Sequence, residues 1–323
     1  MNFIKYFRFW AVVVFSAAWP LLAVGQDFPS KTVKIIVPHS PGAGTDLIAR
    51  VIVDKLADKW NQTIVVENRA GANGIIGSQQ LVGAKPDGYT LLLQGATHVT
   101  NQFTQKELPY DTLKSFTPLG LIATSPYVLV VSPQSKATDL QQVLADVRGS
   151  SKGNAIGVGD NSTRLVGGVI GVRAKTGVLL VPYQGGAPML TDLMGGHVSF
   201  GISSISSTYA AHNSGKLKIV AVLNNERSQA LPTIPTANEQ GLPGDFPTYW
   251  FGLFGPANMD EALADKISKD FAEVLSLPDV RSRFVSLGIE PVGNTPKQFD
   301  ERIKSDLKLW DDLIEQTGLR MDQ

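Results

Sequence analysis

The run Lys34-Ile35-Ile36-Val37-Pro38-His39-Ser40-Pro41-Gly42-Ala43-Gly44-Thr45-Asp46-Leu47-Ile48-Ala49-Arg50 constrains the fold more than any other part of the chain. It reads as a buried strand, a tight Gly/Pro turn and the first turns of a helix. Pro41 and Gly42 keep the turn out of helical geometry, Gly42 and Gly44 let a ligand approach the backbone, and Thr45 or Asp46 can cap the helix. Free N–H groups at such a helix start face outward with the positive end of the helix dipole behind them, so the turn suits an anion. Three readings are open: a carboxylate site, a purely structural turn, or a nucleotide site. A dinucleotide fold wants Gly-x-Gly-x-x-Gly and an acidic residue about 20 positions on. Gly42, Gly44 and Glu67 fit that pattern, but Leu47 stands where the third glycine belongs and Asp46 would compete with a pyrophosphate.

From Thr32 to Gln94 the pattern alternates: strand 33–37, helix 46–60, strand 63–67, helix 74–83 and strand 90–94. Such alternation implies a parallel sheet with right-handed crossovers, and open parallel sheets place ligands beyond their strand ends, where Gly95-Ala96-Thr97-His98 falls. Two apolar runs, 119–123 and 127–131, flank Thr124-Ser125-Pro126 and read as a crossing between lobes. A second series follows, with helices at 139–147, 162–176, 187–194 and 206–213 and strands at 154–158, 178–181, 198–202 and 217–222. The run 250–255 reads as a strand returning to the first lobe, and helices 260–276, 279–287 and 296–317 finish the chain. The expected organisation is therefore lobe 1 over 26–123 with 247–323, and lobe 2 over 124–246. Two such lobes form a cleft between them. The matching turn of lobe 2 is Gly157-Val158-Gly159-Asp160-Asn161-Ser162-Thr163-Arg164, where Arg164 either meets a ligand carboxylate, points to solvent or pairs with Asp160.

Residues 1–25 read as a secretory signal peptide: Lys5 and Arg8 precede an apolar stretch from Phe9 to Val24, and Ala23-Val24-Gly25 is a small-x-small cleavage site ahead of Gln26. With 29 basic and 29 acidic residues the chain is neutral, and no basic run suits a nucleic acid. There are no cysteines, which excludes disulfides, thiolate catalysis and Cys-ligated metals. The four histidines, His39, His98, His197 and His212, form no zinc motif, and neither a Gly-x-Ser-x-Gly elbow nor a phosphate loop occurs. A secreted nucleotide-binding or hydrolytic α/β enzyme is the alternative to a binding protein.

A set of motifs then resembles one family, over essentially the whole mature chain. They are Phe28-Pro29-Ser30-Lys31, Pro41-Gly42-Ala43-Gly44-Thr45-Asp46, Val66-Glu67-Asn68-Arg69-Ala70-Gly71-Ala72-Asn73-Gly74, Lys85-Pro86-Asp87-Gly88-Tyr89-Thr90, Val181-Pro182-Tyr183-Gln184-Gly185-Gly186, Leu231-Pro232-Thr233-Ile234-Pro235-Thr236, Trp250-Phe251-Gly252-Leu253 and Glu290-Pro291-Val292-Gly293. In this order they resemble the Bug (TctC-like) periplasmic solute-binding proteins of tripartite tricarboxylate transporters. The resemblance implies an α/β, two-lobed periplasmic-binding-protein fold, type II-like, with parallel-sheet lobes, no catalysis, no metal and no cofactor. It implies a monomer that holds a carboxylate with cleft-loop amides and serves membrane permease subunits. Carried over by motif, lobe 1 contributes Pro41, Gly42, Ala43, Gly44, Thr45, Asp46, Ala96, Thr97 and His98. Lobe 2 contributes Ser162, Thr163, Arg164 and the loop at Ser203 and Ser204. The family often has Phe or Tyr at the place of His39 and Ser-His at Thr163-Arg164, so this chain adds positive and hydrogen-bonding character. A cleft walled by Phe28, His39 and Trp250, with Arg164 at one end, is expected to take a dicarboxylate, such as an aromatic phthalate isomer.

Overall fold

The computed structural model describes residues 28–149 and 155–317; the signal-peptide expectation for 1–25 lies outside them. Lobe 1 opens with β1 (Val33–Val37), α1 (Gly44–Trp60), β2 (Ile64–Asn68), a 3₁₀ turn (Ala72–Gly74), α2 (Ile75–Val82), β3 (Thr90–Gly95), α3 (Thr97–Thr104) and β4 (Phe116–Ser125). Lobe 2 holds β5 (Tyr127–Val131), α4 (Leu140–Gly149), β6 (Ile156–Val158), α5 (Asn161–Arg173), β7 (Leu180–Pro182), α6 (Gly186–Gly195), β8 (Phe200–Ser204), α7 (Ile205–Asn213) and β9 (Lys218–Leu223). The chain returns with β10 (Tyr249–Pro256), α8 (Glu261–Ser276), α9 (Pro278–Ser286), β11 (Glu290–Pro291) and α10 (Pro296–Thr317).

The lobe 1 sheet runs β11-β4-β10-β3-β1-β2, and the lobe 2 sheet β7-β6-β8-β5-β9. Both are mixed, where the alternating pattern predicts parallel sheets. In lobe 1, β10 is antiparallel to β3 and β4; in lobe 2, β5 is antiparallel to β8 and β9. The reason is topological. β5 and β10 are the strands that arrive from the other lobe, so each starts at the cleft edge and runs away from it, while β1, β3, β6 and β8 end there.

Helix α3 is absent from the sequence reading because Thr97, Val99, Thr100 and Thr104 are β-branched and favour a helix poorly. Tertiary packing overrides that preference: α3 lies against α5 and α10, and Thr97 through Asn101 are buried. One apolar core reaches from lobe 1 through Tyr127, Leu129 and Ile156 into lobe 2, and a smaller cluster covers the other face of the second sheet.

Strand β10 shows how the pleat sorts side chains. Trp250, Gly252 and Phe254 face α10, where Phe299 meets Trp250 at 5.4 Å and Phe254 at 5.1 Å between ring centroids. The Trp250 indole donates to Asp306 Oδ2 at 2.6 Å. Tyr249 and Phe251 take the opposite face, toward Gly95 and Gly44. A Cβ at Gly252 would stand 2.0 Å from Phe299 Cζ, a ring 0 % exposed and held by its neighbours. Gly252→Ala is therefore expected to destabilise the protein by about 1–3 kcal/mol. The check is a lower urea midpoint with an unchanged slope.

Candidate functional site

Because β1 pairs with β3 in parallel, the helices that follow them, α1 and α3, begin side by side at the cleft edge of the first sheet. Across the cleft the parallel pair β6 and β8 places the starts of α5 and α7 in the same way. What distinguishes the four starts is how far each is already satisfied.

The N-cap of α1 is Ala43, which offers no side-chain bond, so the first amides of the helix, Gly44 and Thr45, lack an intrahelical acceptor. Asp46 does not cap in the expected sense. It turns back, accepting from Gly42 N at 2.9 Å, Arg50 Nε at 2.9 Å and Asn68 Nδ2 at 2.9 Å, and is 1 % exposed. Those bonds hold its carboxyl below the usual range, the opposing cost of burial notwithstanding. The negative charge is thus spent on pinning the turn, in which Gly42 sits at φ +83°. Thr45 Oγ1 shares a hydrogen bond with His39 Nδ1 at 3.2 Å. Helix α3, with Ala96 at its N-cap, is equally uncapped by side chains, and Thr97 is tied to Gln94 Oε1 at 3.3 Å.

The lobe 2 starts are more fully used. Asp160 caps α5, its Oδ1 accepting from Thr163 N at 2.7 Å, Thr163 Oγ1 at 2.8 Å and Ser162 Oγ at 2.8 Å. Thr163 therefore closes a capping box rather than presenting a free hydroxyl. Arg164 makes no ion pair among the described residues, Asp160 included; it is half-buried. In α7, Ile205 N donates to Pro126 O at 3.1 Å and Ser206 N to Ser125 Oγ at 3.0 Å, so that start is bolted to the crossing. Ser203 is paired with Val128 in the sheet, and Ser204 bonds Ser206 Oγ at 2.8 Å.

The lobes approach one another at Asn161 and at Gly44, and again at Glu290, whose carboxylate accepts from Ser228 Oγ and Gln229 N at 3.4 Å. Asn161 Nδ2, 9 % exposed, donates across the cleft to Thr104 Oγ1 at 2.5 Å and Asn101 Oδ1 at 3.3 Å. A Cβ at Gly44 would lie 3.2 Å from Ser206 Oγ and 3.3 Å from Phe251 Cζ, so only glycine gives that approach its present clearance. Behind them, Tyr127 and Tyr249 pack edge to face at 5.4 Å, and Tyr249 and Phe251 at 5.1 Å. Across from Asp160 stands half-buried His39; burial pushes its imidazole down while Asp160 pulls the other way.

Three expected site side chains lie elsewhere. Phe28 packs on Trp60 and Tyr89 at 5.5 and 5.2 Å, and Trp60 ends the 17-residue α1, about 25 Å along the helix from the cleft. Trp250 faces α10, as described, on the opposite side of the sheet from Phe251. The ring of His98 is 0 % exposed, donates from Nε2 to Thr112 O at 3.0 Å and packs on Phe116 and Phe254; only its backbone amide belongs to the start of α3. The cleft aromatics are instead Tyr127, Tyr249 and Phe251, and Asn161 and Ser206 join them. Period-2 alternation along β10 was the available signal for Tyr249 and Phe251. Among the described residues no three His, Asp or Glu side chains converge on a metal position.

Paired α/β lobes whose strand ends and helix starts close on one another define a two-lobed solute-binding protein. The family described as "Tripartite tricarboxylate transporter family receptor" matches residues 48–319, and the chain belongs to it. A protein from the tcbD–tcbE intergenic region of Pseudomonas sp. (strain P51) is 33% identical over 300 residues, covering 92% of this chain and 89% of that one. A solved R. palustris protein with adipate superposes with a TM-score of 0.87 at 26% identity, covering 91% of this chain and 99% of the other. MatC from Rhodopseudomonas palustris with bound malate gives 0.81 at 29% identity, over 89% and 100%. The chain is accordingly a solute-binding receptor and not an enzyme, and its family is a periplasmic one.

His98 gives this site's neighbourhood a pH signature. Burial drives its pKa down to about 4, with the Thr112 carbonyl opposing. The unfolded chain takes up the proton near pH 6.5 and the folded chain only near 4, so stability is full above 6.5 and falls as pH drops through that window. Down to pH about 5 His98 should account for a loss of about 1–2 kcal/mol. Urea midpoints measured across this range are expected to vary less in His98→Phe than in the wild type.

Proposed function

We propose that the protein captures a small organic carboxylate between its lobes, outside the cytoplasm, and delivers it as a monomer to the membrane permease subunits of a tripartite transporter. Cleavage after Gly25 would release it there, and no helix among the described residues is long and apolar enough to cross a membrane. The observation that carries the reading is the pair of helix starts, α1 and α3, that no side chain caps, held side by side at an edge that lobe 2 covers. Neutral amides and two helix dipoles suit a carboxylate without a fixed cation. Adipate and malate in the two solved neighbours support the same class.

A thermal-shift screen of mono-, di- and tricarboxylates checks it. A bound carboxylate at 100 times its dissociation constant should add about 2.7 kcal/mol of stability. A shift with NAD or ATP and none with carboxylates would transfer the turn to the nucleotide reading.

Within the class a dicarboxylate fits best. Arg164 is half-buried without an ion pair among the described residues, and a cation in a closing cleft is costly unless neutralised. A rigid aromatic such as a phthalate isomer loses two of its three expected walls, Phe28 and Trp250, and keeps His39, with Tyr249 and Phe251 as the aromatic edge found in their place. By calorimetry, Arg164→Ala should weaken a dicarboxylate by about 2–5 kcal/mol and a matched monocarboxylate far less. Equal losses for both would sink the two-ended ligand.

A further inference from the structure

The seam between α3 and α5 carries a matched set of donors and acceptors that the carboxylate reading leaves unused. Asn161 is the first residue of α5, next to the Asp160 cap, and its Nδ2 reaches two oxygens of lobe 1, Thr104 Oγ1 at 2.5 Å and Asn101 Oδ1 at 3.3 Å. Both receiving atoms are set for it. Thr104 gives its own hydrogen to Thr100 O at 3.1 Å, within α3, which leaves the lone pairs of Oγ1 to accept. Asn101, 0 % exposed, donates from Nδ2 to Asn73 O at 3.1 Å, which fixes its amide with Oδ1 toward α5. Asn161 is itself 9 % exposed, so these bonds lie largely out of water, where leaving one unmade is costly. In lobe 2 the strand that leads into α5, β6, is separated from the crossing strand β5 by β8. The contact therefore stands two strand spacings, about 10 Å, from the crossing, and a rotation of the lobes about the crossing parts its atoms. Helix α3 thus has at one end a start assigned to the ligand carboxylate, Thr97, and at the other the contact with Asn161.

Resting on the carboxylate reading above, we infer that Asn161 is a positioning residue: with Thr104 and Asn101 it forms a latch between the lobes that stabilises the closed form whatever acid the cleft holds. Both bonds join protein to protein, so they act on the balance between open and closed forms. A ligand that binds the closed form has its apparent affinity scaled by the population of that form. The latch therefore raises affinity for every ligand by one factor and contributes nothing to the choice among them, the reverse of the role given to Arg164.

Calorimetric titration of the wild type, Asn161→Ala and Thr104→Val with succinate, malate, adipate and phthalate tests the latch. Each substitution should raise the dissociation constant of every acid that binds, by roughly tenfold and by the same factor for each. Thr104→Val approaches the contact from the other lobe, so the test stands even where Asn161→Ala disturbs the start of α5. In the double variant the two losses should fall short of additive, because the second change removes a bond already gone; two unrelated structural defects would add. Unchanged affinity in both variants, a loss that differs from acid to acid, or additive losses overturns the latch and leaves the carboxylate reading standing. Binding by none of the four acids overturns the carboxylate reading, and the latch with it.

Discussion

The structure depends on the double crossing of the chain between lobes. β4 leaves lobe 1 at Ser125 and β5 enters lobe 2 at Tyr127 with only Pro126 between them, while β10 returns with Tyr249 beside Tyr127. Each arriving strand must start at the cleft edge, which forces it antiparallel to neighbours that end there. This is why both sheets are mixed, and why all the helix starts useful to a ligand lie on the same side. Ser125 and Pro126 also bind the start of α7, so the crossing is hydrogen-bonded into lobe 2.

Around that frame the two lobes are chemically unequal. Lobe 1 offers backbone: two uncapped helix starts, with the buried carboxylate of Asp46 turned to hold the loop. Lobe 2 has spent its helix starts on a capping box and on the crossing, and offers side chains, with Asn161 bridging to lobe 1 and Arg164 half-buried without an ion pair among the described residues. Amides suit any carboxylate, so they give class affinity; individually placed side chains discriminate among carboxylates. Gly44 lets the halves approach, since its missing Cβ leaves room for Ser206 and Phe251.

Much of this was legible in the sequence, and the failures share a cause. The strand-turn-helix at 34–50 appears where periodicity placed it, because a buried strand and an amphipathic helix are written in local hydrophobic spacing. Helix α10 likewise occupies the expected span of 296–317. Local rules failed at α3, whose β-branched residues are helical only because α5 and α10 pack on them.

The sequence by itself therefore determined the alternation of elements, the anion-suited turn, the absence of thiol chemistry and, through its ordered motifs, the family. The tertiary structure alone decided the direction of β5 and β10 and the company each candidate keeps. Phe28, His98 and Trp250 have the chemistry of ligand contacts, but a side chain's destination depends on which face of the sheet it leaves and which element covers that face. Those partners, Trp60, Thr112 and Asp306, lie between 14 and 56 residues away along the chain for the last two, and at the far end of α1 for the first. No local pattern encodes contacts at that separation.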